Sequence, residues 1–445
     1  MAEVRRFPFV ISNINTKPFI AVETASPLWV GLCCAALAIM TLITMLAMGT
    51  FTSIQMTLIT SVAYATPGVF YEYQRIYGWA LPQWRQVTIN TAIYNSVLKT
   101  FGLIQILAVA GFLFSILPEY KKDLYKLWQD LYVPYAVGLA VISPLYFLLC
   151  EYTVGSKNDI YKYIGRFSLF VFFARVWTRP ILRQGLLLWI VKLFFLPIML
   201  GSVHYGVVYF VNHPINTFFN DYYRFFDMYW ELILAMDVVL AVAGYTLSLR
   251  FLGTAVISTD PTWRGWIATL ICYFPFSSAL YGSYLTYEDG LRWGNIIPAD
   301  TIWYYAYGLV LLSVHTLYLC GSLNFGIRYS NLSHRGILTN GLFRLTKHPA
   351  YLFKNIGWWM IGLPFISHMG LKTAIANCLL LGGVNIVYWW RARTEEKHLS
   401  RDPRYVAYAL AMNDRSLLAF LGRWFPVLQY RVPTGYQRLQ YRIPS

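Results

Sequence analysis

Residues 335–359 read RGILTNGLFRLTKHPAYLFKNIGWW, and residues 385–408 read NIVYWWRARTEEKHLSRDPRYVAY. The first stretch is polar and turn-prone through Asn340-Gly341 and Lys347-His348-Pro349, then apolar as far as His368 with Lys354 its one charge. Proline suits the first position of a helix because its missing N–H would be unpaired there anyway. A helix is therefore predicted to open at Pro349, with His348 at the cap and Tyr351 inside the first turn. A second apolar run, 373–390, begins soon after Gly370. Two apolar arms joined this closely predict a helical hairpin whose ends, basic on both sides, return to one membrane face.

The rest of the chain shares this character. Of 445 residues, 57% are hydrophobic and only 13% charged, too apolar a composition for an ordinary soluble domain. In lipid every backbone polar group must be paired within the protein, which leaves helices or a closed barrel. Long apolar runs without period-two alternation select helices. The expected fold is all-α: a polytopic transmembrane helical bundle of about ten membrane segments, the C-terminal helical hairpin included. The upstream segments are 28–49, 51–71 (interrupted by Pro67-Gly68), 94–117, 132–150, 185–211, 228–248, 266–287 and 301–323. Lys99 lies near the start of its segment and is expected to snorkel to the head groups, and Phe167 to Phe173 is expected to lie in the interface.

The formal net charge of +16 comes from Lys and Arg scattered among connections. No RNP-like or zinc-finger pattern accompanies them, so nucleic acid is not an expected partner. Basic and near-neutral connections alternate instead, which predicts a multi-pass protein of a bacterial inner membrane or an endomembrane with both termini cytoplasmic. Arg5 and Arg6 are not followed by the compact apolar stretch and small-residue cleavage site of a signal peptide, so the first span is expected to stay attached. The six cysteines form no CxxC pair; neither a disulfide framework nor a metal site is expected. A boundary near residue 295 separates an N-terminal transmembrane bundle of unassigned role, 1–295, from a motif-bearing membrane domain with a cytoplasmic tail, 296–445. A protein partner is one use for the first part.

Two patterns in the quoted stretches carry a resemblance. Gly341-Leu342-Phe343-Arg344-Leu345-Thr346-Lys347-His348-Pro349-Ala350-Tyr351 fits G-x-(Y/F/W)-R-x-x-(R/K)-H-P-x-Y. Arg391, Arg393, Glu395, Glu396 and Leu399 fit R-x-R-x-E-E-x-x-L, with Tyr405 and Tyr408 following as Y-x-x-Y. Together, in this order and separated by a hairpin, they resemble the integral-membrane methyltransferases that include isoprenylcysteine carboxyl methyltransferase, over roughly the last third of the chain. Phospholipid N-methyltransferases and membrane sterol reductases are distant kin of that family.

The resemblance implies S-adenosyl-L-methionine as cofactor and a lipidic or prenylated substrate, a carboxylate, entering from the bilayer among membrane lipids. It implies cofactor binding by Arg344, His348, Pro349, Tyr351, Glu395 and Glu396, and catalysis by Arg391, Arg393 and Glu395. The chemistry suits these side chains. The ligand's methionine part is a zwitterion, which a carboxylate and a basic group can pair, and its adenosine wants a flat apolar wall such as Tyr351, Trp358 or Trp359. Arg391 and Glu395 are four apart and share a helix face, so the guanidinium can hold a substrate carboxylate bidentately.

Plainer readings stand beside these. Arg391 to Lys397 also suits a helix leaving the membrane, and His348 a simple cap. Trp358-Trp359 and Tyr388-Trp389-Trp390 read as interfacial anchors in preference to ligand walls. Lys192, His204, Glu231, Asp237 and His315 are the upstream intramembrane polar residues, functional candidates by default. Glu231 and Asp237 are six apart and share no helix face, and each histidine reads as hydrogen-bonded to a neighbouring helix rather than as a haem ligand. Two other functions fit the chain: a non-catalytic membrane subunit or lipid- or partner-binding protein with a vestigial motif, and an NADPH-dependent membrane reductase.

Overall fold

The computed structural model describes residues 23–219, 221–278 and 291–433; Arg5, Arg6, the end of the expected 266–287 segment and Glu288 lie outside them. Seven helices come first: α1 (Leu28–Met48), α2 (Ser53–Tyr77), α3 (Ile89–Ile116), α4 (Lys126–Thr153), α5 (Ile160–Arg175), α6 (Pro180–Asn212) and α7 (Tyr222–Thr246). A short α8 (Trp263–Leu270), a single helical turn at Trp293–Ile296, a long α9 (Ile302–Leu323), the hairpin α10 (Pro349–Gly362) and α11 (Leu371–Leu399), and the tail helices α12 (Pro403–Arg415) and α13 (Ala419–Trp424) complete the α-helices of the described chain. Two-residue strands β1 (Ser258–Thr259) and β2 (Ser333–His334) pair antiparallel.

This is an all-α membrane bundle. Among the described residues six helical segments are long and apolar enough to cross a bilayer: α1, α3, α4 with the turn before it, α6, α9 and α11. The expected ten become six: the 51–71 and 228–248 segments form long helices, α2 and α7, that are not among them, and two other segments fall short in instructive ways. Of the 266–287 segment, the described part is the eight-residue α8 followed by turns; Pro275, with no N–H to donate, adds no bond to a helical ladder there. In the hairpin, α10 has 14 residues, about 21 Å at 1.5 Å per residue and short of a full crossing. It stops at Leu363, which takes a left-handed conformation with φ of 40°. α2, by contrast, runs unbroken through Pro67 for 25 residues.

The main core lies where α1, α2, α6 and α7 meet, with Cys34, Tyr64, Phe195, Met236 and Leu240 fully buried. α5 does not stand alone on the surface: it buries Phe172 while Phe167 and Phe173 remain exposed. It packs along α3 through facing glycines: a Cβ on Gly102 would stand 2.0 Å from the Tyr161 carbonyl oxygen, and one on Gly165 1.9 Å from that of Leu98. Nor does Lys99 snorkel. It is fully buried, its Nζ 2.8 Å from Glu151 Oε1 and 3.7 Å from Asp159 Oδ2, and Asn95 Nδ2 donates to the second Glu151 oxygen at 3.0 Å. A buried ammonium stays charged only beside such partners; the end of α4 supplies Glu151 and the cap of α5 supplies Asp159. The histidines behave partly as expected: His204 Nδ1 meets Thr57 of α2 at 3.0 Å, whereas His315 Nδ1 bonds the Leu311 carbonyl of its own helix at 2.8 Å.

Candidate functional site

Between α9 and α10 the chain makes one long polar connection, and buried arginines hold it in place. Arg328 pairs with Glu72 of α2, its Nη2 2.8 Å from Oε2. Arg335 donates to the carbonyl oxygens of Thr254 (2.9 Å), Gly244 (2.7 Å), Tyr329 (3.0 Å) and Leu247 (3.2 Å). These carbonyls belong largely to the C-terminal end of α7 and the turn after it, where helical partners have run out. Gly341 is needed at its turn: its φ is 53°, and a Cβ there would lie 2.2 Å from Asn324 Oδ1. The connection then enters α10 with His348 as cap and Pro349 at the first helical position.

The two sequence patterns meet here. Tyr351 Oη donates to Glu395 Oε2 at 2.9 Å, and the Tyr351 ring lies parallel to that of His348 with centroids 5.5 Å apart. Glu396 is buried and faces three basic side chains: Lys347 Nζ at 2.7 Å, Arg393 Nη1 at 2.7 Å and His348 Nε2 at 3.4 Å. Arg391 is buried too. Its Nη2 donates to Asn331 Oδ1 at 2.6 Å, and its guanidinium lies over the rings of Tyr351 (5.1 Å) and Tyr273 (5.4 Å). Asn331 in turn donates to the hydroxyls of Tyr245 (2.8 Å) and Tyr273 (3.1 Å).

The tail closes over this cluster. Tyr408 Oη donates to the Phe343 carbonyl at 2.7 Å, and Tyr405 and Tyr408 sit in a small core with Ile337, Met412 and Tyr430. Asp402 caps α12, accepting from Arg404 N at 2.9 Å and contacting His334 Nε2 at 3.0 Å. Burial alone would raise its carboxyl pKa, but His334 and Arg404 outweigh that and hold it well below the usual carboxylate range.

One cavity receives this chemistry. His348, Pro349, Tyr351, Arg391 and Glu395 line it, together with Asp237 of α7 and Lys354 of α10. Arg344 is exposed and Glu396 and Arg393 lie behind the wall, so these three are not among the lining residues. Arg393 reaches the Gln429 carbonyl at 3.3 Å as well as Glu396. Tyr388, which reads from sequence as an interfacial anchor, is a buried wall of the cavity, and Trp359 donates to Asn385 Oδ1 at 2.7 Å. Residues upstream of 295 contribute Ala25, Asp237, Asp260, Thr269 and Tyr273. Only Asp237 among these carried a sequence signal, a carboxylate in an apolar run. The free space is about 140 Å³, less than the roughly 300–1,000 Å³ of ordinary ligand sites, so a nucleotide-sized ligand requires the walls to part.

Residues 292–412 match a family model described as a protein of unknown function, DUF1295. The chain carries this domain in its C-terminal region, and both quoted patterns fall inside the match. No curated protein and no solved structure matches the chain.

Proposed function

We propose that the chain is an integral-membrane methyltransferase that uses S-adenosyl-L-methionine and acts on a lipidic or prenylated carboxylate reaching the cavity from the bilayer, with the motif end on the cytoplasmic side. The observation that carries this reading is that His348 and Tyr351, from one pattern, and Arg391 and Glu395, from the other, line a single cavity although more than forty residues separate Tyr351 from Glu395.

The donor set fits the cofactor's charges. Among the described residues Glu395 is engaged by Tyr351 Oη and, at 3.9 Å, by His348, and its side chain is 37% exposed, so it remains open to an ammonium. His348 Nε2 faces Glu396 at 3.4 Å, a contact long enough for the ligand's carboxylate to compete for the same donor. Tyr351 offers an apolar face. When bound, S-adenosyl-L-methionine supplies a methyl group activated by its sulfonium. Arg391, oriented by Asn331 and two aromatic rings, holds the acceptor carboxylate; a carboxylate is already a nucleophile, so no base is needed. What remains for the protein is alignment and exclusion of water, worth on the order of 7–11 kcal/mol where geometry is good. Glu396 holds the arrangement rigid from behind.

A reductase using NADPH is less well supported. Arg328 and Arg335, the buried cations that a 2′-phosphate would otherwise attract, are committed to Glu72 and to carbonyl oxygens. Calorimetric titration of the purified full chain with S-adenosylhomocysteine tests the proposal. Saturable heat in the wild type, weakened at least tenfold in His348→Ala with an unchanged melting temperature, is the expected result. A folded wild type that gives no heat sinks it.

A further inference from the structure

A second cavity, of about 580 Å³, lies at the other end of α7 and α10. Trp358 and Gly362 of α10 and Asp227, Trp230 and Glu231 of α7 line it, whereas the motif cavity takes Tyr351 and Lys354 from α10 and Asp237 from α7. Ten residues of helix separate Asp227 from Asp237, so the two cavities sit about 15 Å apart along the same pair of helices. The second belongs to a different chemistry.

Its walls are large, fixed aromatic rings. Trp293 is buried and packs at 4.9 Å from the Phe226 ring and 4.8 Å from that of Tyr304; Trp230 stands edge-on to His315 at 4.2 Å. Set among the rings are two carboxylates one turn apart on a single face of α7. Like charges at this spacing repel, and the fold does little to relieve them. Asp227 accepts one hydrogen bond, from Tyr209 Oη at 2.7 Å, and Glu231 has neither a hydrogen bond nor an ion pair among the described residues. Arg292, an exposed residue, is the one formal cation among the residues that line the cavity. Carboxylates lining one cavity with three tryptophans are the complement of an ammonium ion, which is attracted both by the charge and, where a ring face is reached, by the ring quadrupoles. An anion would meet like charge, and an uncharged tail would leave Glu231 desolvated and unpaired.

We propose that the cavity formed by Asp227, Glu231, Trp230, Trp293 and Trp358 binds the ammonium head of an alkylammonium amphiphile, at the end of α7 and α10 remote from the motif cavity. Arg292 suits an acidic group carried by the same molecule, as in a zwitterionic lipid head. The same ammonium chemistry is available from a free soluble amine, and the experiment separates the two sources. The inference does not rest on methyl transfer and stands or falls separately from it.

The test is titration of the full chain, purified in an uncharged detergent, with decyltrimethylammonium below its micellar concentration, with choline, and with decanoate as the anionic counterpart. Saturable binding of decyltrimethylammonium, at least tenfold weaker in Glu231→Gln and weaker again in Asp227→Asn/Glu231→Gln, is expected, with His348→Ala binding as the wild type does. Choline bound as tightly as the amphiphile assigns the site to a soluble amine; choline bound far more weakly assigns it to a lipid. Decanoate binding equal to that of decyltrimethylammonium, or undiminished binding in Glu231→Gln with an unchanged melting temperature, overturns the proposal. If the double variant does not fold, Glu231→Gln alone decides.

Discussion

Glu396 meets three basic side chains within 3.4 Å, whereas Glu231 meets none among the described residues. Both are carboxylates on long helices of one bundle, and both stand beside a cavity. The difference is that Glu396 is enclosed by the loop before α10, whose sequence was full of cations to bring, while Glu231 faces space bounded by aromatic rings. A buried charge must be matched from within or left to a ligand. Glu396 is thereby a structural centre, with the ligand-facing role passing to its neighbour Glu395, and Glu231 becomes a recognition group.

The comparison breaks most visibly at Glu396. In Glu396→Ala, Lys347 and Arg393 lose the only close carboxylate they have among the described residues, and removal of one side of a buried charge cluster costs about 3–5 kcal/mol. A large fall in melting temperature in detergent is the expected readout, together with loss of S-adenosylhomocysteine binding. Glu395→Gln provides the contrast: its amide oxygen still accepts from Tyr351, so the melting temperature stays nearly unchanged while ligand affinity falls. If the two variants are equally unstable, the division of labour between adjacent glutamates is wrong.

Lys99 offers the same contrast away from either cavity. Lys99→Met strands Glu151, which keeps its hydrogen bond from Asn95, and costs about 3 kcal/mol. Adding Glu151→Leu removes the stranded charge as well, so the double variant is expected to melt higher than Lys99→Met alone. A double variant as unstable as the single one shows that Lys99 contributes through packing against Phe147 rather than charge.

Asp402 is expected to matter less and to depend on pH. Asp402→Asn loses the charge-assisted contact with His334 and part of a helix cap, about 1–2 kcal/mol at neutral pH. Because the folded-state pKa is depressed, the contribution is present above the unfolded value near 3.9 and is lost as pH falls below it. The gap in melting temperature between wild type and variant is expected to stay constant from pH 7 to about pH 5 and to narrow below about pH 4. A gap that widens with acid refutes the assignment.

What sequence could reveal follows the same division. The helix opening at Pro349, the cap at His348 and the shared face of Arg391 and Glu395 were legible because each depends on spacing within one helix or on a proline's missing donor. Lys99 was misread because a lysine near the end of an apolar run looks alike whether it snorkels or pairs; the decision rests with Glu151, 52 residues away. Arg328 and Arg335 looked like loop charges facing the cytoplasm, yet their partners are Glu72 and the carbonyls at the end of α7. Asn331 and Tyr273 gave no signal at all, since neither is unusual where it stands and both matter only through contact with Arg391.

The smallest effect tests the other half of the comparison. If Glu231 is held for a ligand and not for the fold, then Glu231→Gln removes a like-charge neighbour of Asp227 and no favourable contact among the described residues, so stability changes by no more than about 0.5 kcal/mol in either direction. The sign is informative: relief of repulsion across one helical turn is worth about 0.2–0.5 kcal/mol, which favours a melting temperature equal to or slightly above that of the wild type. Adding decyltrimethylammonium is then expected to raise the melting temperature of the wild type and to leave that of the variant where it was, because a ligand stabilises only the state that binds it. A variant that loses several degrees without ligand shows that Glu231 has a structural partner, and the contrast with Glu396 disappears.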